Sequence, residues 1–294
     1  ERLRRQMCIG ASWRGSSVPT VGTDDFFIAG DVFKKREELS FEMTPEGEKE
    51  LLDARGKGSV TKCLVIRCFN SKNIFAHVVP AKGAHEEDYD ANLVMTAVLW
   101  LGHLEIIMRG DNEPALQALS ERAPHVIRVK VLDEDTETTL KRLSKEEPAT
   151  YDSQSNGGTE VGVMLVRGLF RTLKLCLESQ VERFIPVGHA IIPWLLEHTC
   201  LVLNVRSRGP DGITPWERAR GRPCNQLIAG FGELVIYKLP VKGPKSQPDG
   251  NIGARQAEGI FVGHNSFSNT FTVIGDDGRV EARSMTRRPT PNRW

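Results

Sequence analysis

Three acids stand where a carboxylate can do chemistry. Asp24 lies inside the β-rich run "TVGTDDFFIAGDVF", Asp111 directly follows the apolar run "LEIIMRG", and Glu160 sits where "YDSQSNGGTE" opens a long apolar-periodic segment. Hard divalent ions such as Mg2+ take carboxylate oxygen and keep several of their waters, so three acids on separate elements make a sufficient donor set. Each acid also has an ordinary structural reading. Asp24 fits a surface position on an edge strand, Asp111 fits a helix cap, and Glu160 fits a first-turn acid favoured by the helix dipole. Asp25, one residue along, competes with Asp24 for the first position.

The elements that must carry these acids are legible in outline. After the first β-rich run comes a charged stretch, "KKREELSFEMTPEGEKELLDARGKGSV", with no steady apolar period, which reads as an insertion near 31–60. "KCLVIRCF", the turn "NSKN" and "IFAHVVP" form a hairpin signal of two β-branched runs joined by turn formers. Leu93, Val94, Ala97, Val98 and Leu101 recur at helical spacing and predict a helix from about His85 to Leu101. "LEIIMRG" reads as a buried strand, "DNEPALQALSER" as a helix with Asp111 at its N-cap, and "HVIRVKVL" as a further strand. Two long helices follow, about Asn156 to Gln180 and Ala190 to Val205.

The order is therefore β-β-β-α-β-α-β-α-α, over residues 19–205, behind an N-terminal tail at 1–18. A Gly/Pro-rich linker at 206–230 carries "TPWERARGRP", and short strands spaced by turns at 231–288 read as a small β module before a tail at 289–294.

Bulk composition narrows the function classes. With 39 basic and 38 acidic residues the net charge is +1, so no global basic field marks a polyanionic partner and any such surface is local. The six cysteines, Cys8, Cys63, Cys68, Cys176, Cys200 and Cys224, form no C-x-x-C pair, which favours reduced thiols in an intracellular protein. No apolar run reaches the ~20 residues that span a bilayer. The start lacks the apolar core of a signal peptide, and, beginning without Met, it reads as cut from a longer chain.

The three acid-bearing segments, "TVGTDDFFIAGD", "RGDNEPAL" and "YDSQSNGGTEVGV", resemble the corresponding motifs of retroelement integrases in the copia-like branch of retrotransposons. The last is the most specific, with Gln154, Asn156, Gly157 and Glu160 in the pattern Q-x-N-G-x-x-E. "TPWERARGRP", "FGELVIY" and "EGIFVGH" are similar to the family's segments after the core, so the resemblance runs from about Pro19 to Arg288. Of the family's upstream His/Cys zinc segment only Cys8 is matched, and one cysteine binds no structural zinc. The "P-T-V-x-x-D" register favours Asp24 over Asp25. The gaps, 86 residues from Asp24 to Asp111 and 48 from Asp111 to Glu160, exceed those of compact relatives, and the extra length falls in segments that read as loops, where it costs little.

The resemblance implies an α/β, ribonuclease H-like fold: a mixed five-stranded sheet flanked by helices, followed by a small β-barrel-like module. It implies that Asp24, Asp111 and Glu160 are catalytic and ligate Mg2+, with Mn2+ as a substitute, in a two-metal reaction that joins the 3′ ends of element DNA to target DNA. Asp24 bridges the ions, Asp111 completes one and Glu160 the other. It further implies DNA partners, a homo-oligomer, and action in the nucleus after a cytoplasmic particle stage rather than secretion. A decayed or domesticated copy would bind DNA without joining it, and a ribonuclease H-type nuclease fits less well with the "TPWE" segment and C-terminal module.

Gln154, Ser155 and Asn156 are candidate contacts to DNA ends, in a polar run whose glycines allow backbone conformations a bulkier residue resists. Along the following helix Glu160, Met164, Arg167, Arg171 and Lys174 are expected on one stripe, with Val161, Leu165, Leu169, Leu173 and Cys176 opposite. Beside such a site the stripe is a candidate phosphate track. His77 and His198 read as surface or core histidines rather than ligands, Trp216 and Glu217 as structural, and Lys238, Lys242, Lys245 and Arg255 as further candidate DNA contacts.

Overall fold

A computed structural model describes residues 18–29, 32–34, 60–79, 89–103, 105–110, 119, 122, 142–146, 157–239 and 253–287. The central strand is β1 (Thr20–Ala29). It pairs antiparallel with β3 (Val60–Cys68) over nine residue pairs and with the short β2 (Val32–Lys34), and parallel with β5 (Glu105–Gly110). β3 in turn pairs antiparallel with β4 (Ile74–Val78), and β5 parallel with β6 (Arg142–Glu146). Leaving β2 aside, the order across the sheet is β4-β3-β1-β5-β6. An antiparallel meander with two parallel strands added beyond its first strand, flanked by helices, fits a ribonuclease H-like fold.

The expected hairpin is the β3–β4 pair, and the first expected helix is α1 (Tyr89–Leu101). The long helices are α2 (Gly157–Val181) and α3 (Ile192–Arg206), each within two residues of its expected start. β6 differs from expectation. It lies in "RLSKE", between the expected strand "HVIRVKVL" and the first long helix, where no element is expected; "HVIRVKVL" lies outside the described residues, as does nearly all of "DNEPALQALSER".

Two apolar layers cover the sheet. On one face Val21, Leu64, Ile66 and Cys68 pack with α1 residues Val94, Met95, Val98 and Trp100. On the other, Phe26, Ile28, Cys63 and Val65 pack with Val166 and Phe170 of α2 and Leu195, Leu196 and Cys200 of α3. The five cysteines within the described residues are free thiols, and none of the described helices is long and apolar enough to cross a membrane.

The "TPWE" stretch is a short helix, α4 (Pro215–Arg220), rather than plain linker. Thr214 and Glu217 form a reciprocal capping box at its start, and Gly221, at φ 67°, ends it in the left-handed conformation. Trp216 stacks edge-on against Trp100 at 5.4 Å, with Arg220 over the same Trp100 ring at 4.0 Å. The buried amide of Asn73 donates to the Pro215 carbonyl at 2.7 Å, clipping α4 to the β3–β4 turn. The structural reading of Trp216 and Glu217 therefore has a concrete basis.

The C-terminal strands are β7 (Leu234–Lys238), β8 (Gln256–Asn265), β9 (Thr270–Gly275), β10 (Gly278–Ala282) and β11 (Met285–Arg287), in an antiparallel sheet ordered β10-β9-β8-β7-β11. β10 and β11 are the two ends of this path, and no pairing between them closes it into a barrel among the described residues. Glu233, fully buried before β7, receives Arg287 of β11 through two hydrogen bonds, at 2.6 and 2.7 Å. This sheet leans on α3. His198 of α3, 3% exposed, stacks against Phe231 and Phe261 at 5.5 and 5.7 Å, and Val262 joins the same apolar layer as α2 and α3.

Burial pushes the His198 imidazole from 6.5 down to about 4, so it is neutral in the fold. The unfolded chain takes up that proton first as pH falls. The contribution of His198 to stability is therefore complete above about 6.5 and shrinks, by about 3 kcal/mol in all, as pH drops to about 4. Thermal unfolding across that range should fall less steeply for His198→Phe than for the natural protein. Equal slopes would show that the ring is hydrated in the fold.

Candidate active site

Strand alternation separates the two neighbouring acids of β1. Asp25 points to the α1 face, where its Oδ2 lies 2.5 Å from Nζ of Lys62, both side chains nearly buried. Asp90, in the first turn of α1, shares that pocket. Burial holds its carboxyl above the usual carboxylate range; nearby Lys62 opposes that shift and Asp25 adds to it. Asp24 falls on the other face with Gly22, Phe26 and Ile28, the face covered by α2 and α3. Its Oδ1 accepts from the Asp25 amide at 2.8 Å.

The start of α2 seats against this face through two glycines. A Cβ at Gly22 would run into Thr159 Oγ1 and approach the Phe69 ring at 2.9 Å, and a Cβ at Gly158 would meet the same ring at 2.9 Å. Phe69 is thus wedged between β1 and the first turn of α2. Gly158 is needed for close approach, since it is helical, not for the unusual backbone conformation expected of it. Glu160 is exposed in this first turn, one residue after the buried Thr159, where a negative charge meets the positive end of the helix dipole.

Asp111, with Gln154, Ser155 and Asn156, lies outside the described residues. Gly110, which precedes Asp111, is the register partner of Thr23, which precedes Asp24. Among the described residues no group of three or more His, Cys, Asp or Glu side chains could hold a metal ion.

The face of α2 turned inward differs from the expected one. Thr159, Gly162, Val163, Val166, Phe170, Lys174 and Leu177 are buried, while Val161, Met164, Leu165 and Cys176 are exposed. Small residues at 159 and 162 let the helix approach the sheet, and that contact, not the count of apolar residues, sets its rotation. Lys174 therefore leaves the expected cationic stripe. It is 5% exposed, its Nζ bonds Glu178 at 2.7 Å, and it lies over the Phe184 ring at 4.8 Å. Arg171 is exposed and Arg167 half-buried.

Neither Arg67, which meets this end of α2, nor Lys72, which follows it in the next turn, is named in the sequence reading. Arg67 of β3 donates from Nη1 to the Gly158 carbonyl, and its Cδ lies where a Cβ at Gly162 would come within 2.9 Å. Lys72 stands exposed in the β3–β4 turn. An arginine inside an apolar strand, "LVIRCF", was the available signal. A separate cavity of about 400 Å3 opens between β4, α1, α3 and the β8–β9 turn, and none of Asp24, Glu160 or Arg67 lines it.

No protein-family model matches the chain, and no curated protein sequence matches it. Similar solved structures include the catalytic core domain of BIV integrase, at 18% identity over 67% of this chain and 91% of that one, with a TM-score of 0.35. A chain of the simian T-cell lymphotropic virus intasome in complex with PP2A regulatory subunit B56 gamma is 13% identical over 92% of this chain and 79% of that one, TM-score 0.40. The HTLV-2 integrase catalytic core domain in complex with magnesium, in trimeric form, is 13% identical over 68% and 95%, TM-score 0.37. These scores are low, and the fold assignment rests on the strand order above.

Lys174→Ala should lower stability by about 3 kcal/mol, because it leaves the shielded Glu178 carboxylate without its cation. Chemical denaturation checks this. A loss within about 0.5 kcal/mol, as for an ordinary surface position, would return Lys174 to the solvent stripe.

Proposed function

We propose that this chain is a retroelement integrase of the copia-like kind, comprising the catalytic core and the C-terminal β module. The observation that carries the reading is the meeting of motif and topology. The Q-x-N-G-x-x-E segment leads into a helix whose first turn abuts β1 two residues from Asp24, on the face to which Asp24 belongs. Asp24, Asp111 and Glu160 are the proposed catalytic acids; Asp24 is preferred to Asp25 because Asp25 pairs with Lys62 on the opposite face.

Carboxylate oxygens on a central strand and a rigid helix are the donors a hard Mg2+ ion takes. Bound there, a pair of such ions would activate an oxygen nucleophile and stabilise the leaving oxygen. The chain's own part is to fix the acids: β1 holds Asp24 opposite Val65 of β3 and one residue beyond the last pair with β5, and the Phe69 wedge holds the turn bearing Glu160. In the proposed reaction the 3′ hydroxyl of an element end attacks a target phosphorus. A new P–O bond forms as the target strand's P–O bond breaks, and the departing oxygen takes a proton. Gln154, Ser155, Asn156, Arg167 and Arg171 are proposed to contact DNA.

Strand transfer with labelled DNA ends in magnesium tests this. Asp24→Asn and Glu160→Gln should each abolish joining while retaining DNA binding, and Asp25→Asn should leave joining measurable. Joining that survives Asp24→Asn but not Asp25→Asn would reverse the register. Binding without joining by the natural chain would mark a domesticated DNA-binding protein.

A further inference from the structure

Arg67 is only 9% exposed, its Nε is buried without a hydrogen-bond partner, and its Nη1 is bound to a neutral carbonyl, that of Gly158. No carboxylate is paired with it among the described residues. A charged neighbour is another cation, Lys72, whose own further cationic neighbour, Arg218, is engaged by Asp211 at 2.5 Å.

A buried guanidinium without an anion is costly, and the positive end of the α2 dipole adds to that cost rather than relieving it. Burial lowers the Arg67 pKa; burial, then the Arg67 and Arg218 charges, lower that of Lys72. Lys72 is also held at φ 65°, a left-handed conformation that disfavours a residue with a Cβ. Burial without a counter-ion among the described residues, cation crowding and backbone strain thus converge on one spot, and an added anion would relieve the first two.

We propose that Arg67, bonded to the N-terminal turn of α2, and Lys72, in the β3–β4 turn that follows its strand, form an anion site that takes one phosphate of a DNA backbone. The site rests on the DNA-joining reading above and places a strand beside the Phe69 wedge, in reach of the turn that carries Glu160. It differs from the expected helix stripe, because its cations come from β3 and the β3–β4 turn.

The test is the salt dependence of binding of the full chain to a short duplex oligonucleotide. Lys72→Gln, at an exposed turn position, should fold normally and lower the log-log slope by about 0.9, the loss of one duplex phosphate contact. Arg67→Gln should do the same and, without DNA, should not melt earlier than the natural chain, since it removes an uncompensated buried charge. Unchanged slopes in both variants, with the natural chain still binding, would overturn the site and leave the joining function standing. Unchanged slopes together with a melting temperature raised by inorganic phosphate in the natural chain, but not in Lys72→Gln, would also overturn it, assigning the pair to free phosphate. A natural chain that binds no duplex would overturn the site and the joining reading together.

Discussion

The structure turns on one close approach, the first turn of α2 against β1 at Gly22. A side chain there would collide with Thr159 and Phe69, so the absence of a single Cβ decides how deeply the helix seats. Everything along α2 follows from that seat. The rotation that buries Thr159 and Gly162 also buries Val166 and Phe170 against the sheet and carries Lys174 inward to Glu178. Glu160 is held by the same contact, since a residue one step from a fixed point in a helix has little freedom of its own.

Around this seat, polar side chains finish what the sheet leaves open. β4 is an edge strand, and Asn204 of α3 both accepts from the Ile74 amide and donates to the Ile74 carbonyl, each at 2.8 Å. A helix side chain thereby fills one residue's place in the missing ladder, where bare edge groups would invite another strand. Asn73 does comparable work at the turn by holding α4. These contacts join segments more than a hundred residues apart, and they explain why the chain after α3 belongs mechanically to the domain before it.

Much of this was legible in the residues. Two β-branched runs around "NSKN" specify a hairpin, and a 25-residue helix announces itself by period and by the acid in its first turn. The β1 run carries both acids in sight, and alternation alone says that they face opposite ways, though not which way. β6 was hidden because "RLSKE" has no apolar signal; its strand pairing comes from β5 alongside it. The orientation of α2 was hidden because small residues, not hydrophobic ones, mark its contact face. Lys174 was misplaced for the same reason, as its partners Glu178 and Phe184 make burial tolerable in a way that no helical wheel records. Arg67 shows the converse limit: the letter is conspicuous in its strand, but the lack of a counter-ion among the described residues appears only in three dimensions.

The pairing of Glu233 with Arg287 bears on how the protein is made. Glu233 precedes the first strand of the C-terminal sheet and is completely buried, while the guanidinium that answers it belongs to the last strand. During synthesis about fifty residues therefore emerge between the acid and its only arginine partner among the described side chains. Until Arg287 clears the ribosome, burying Glu233 would leave its carboxylate with the Gly230 amide at 2.9 Å but without the arginine that engages both its oxygens. The module thus has a built-in reason to wait, while the preceding sheet and helices are free to assemble first.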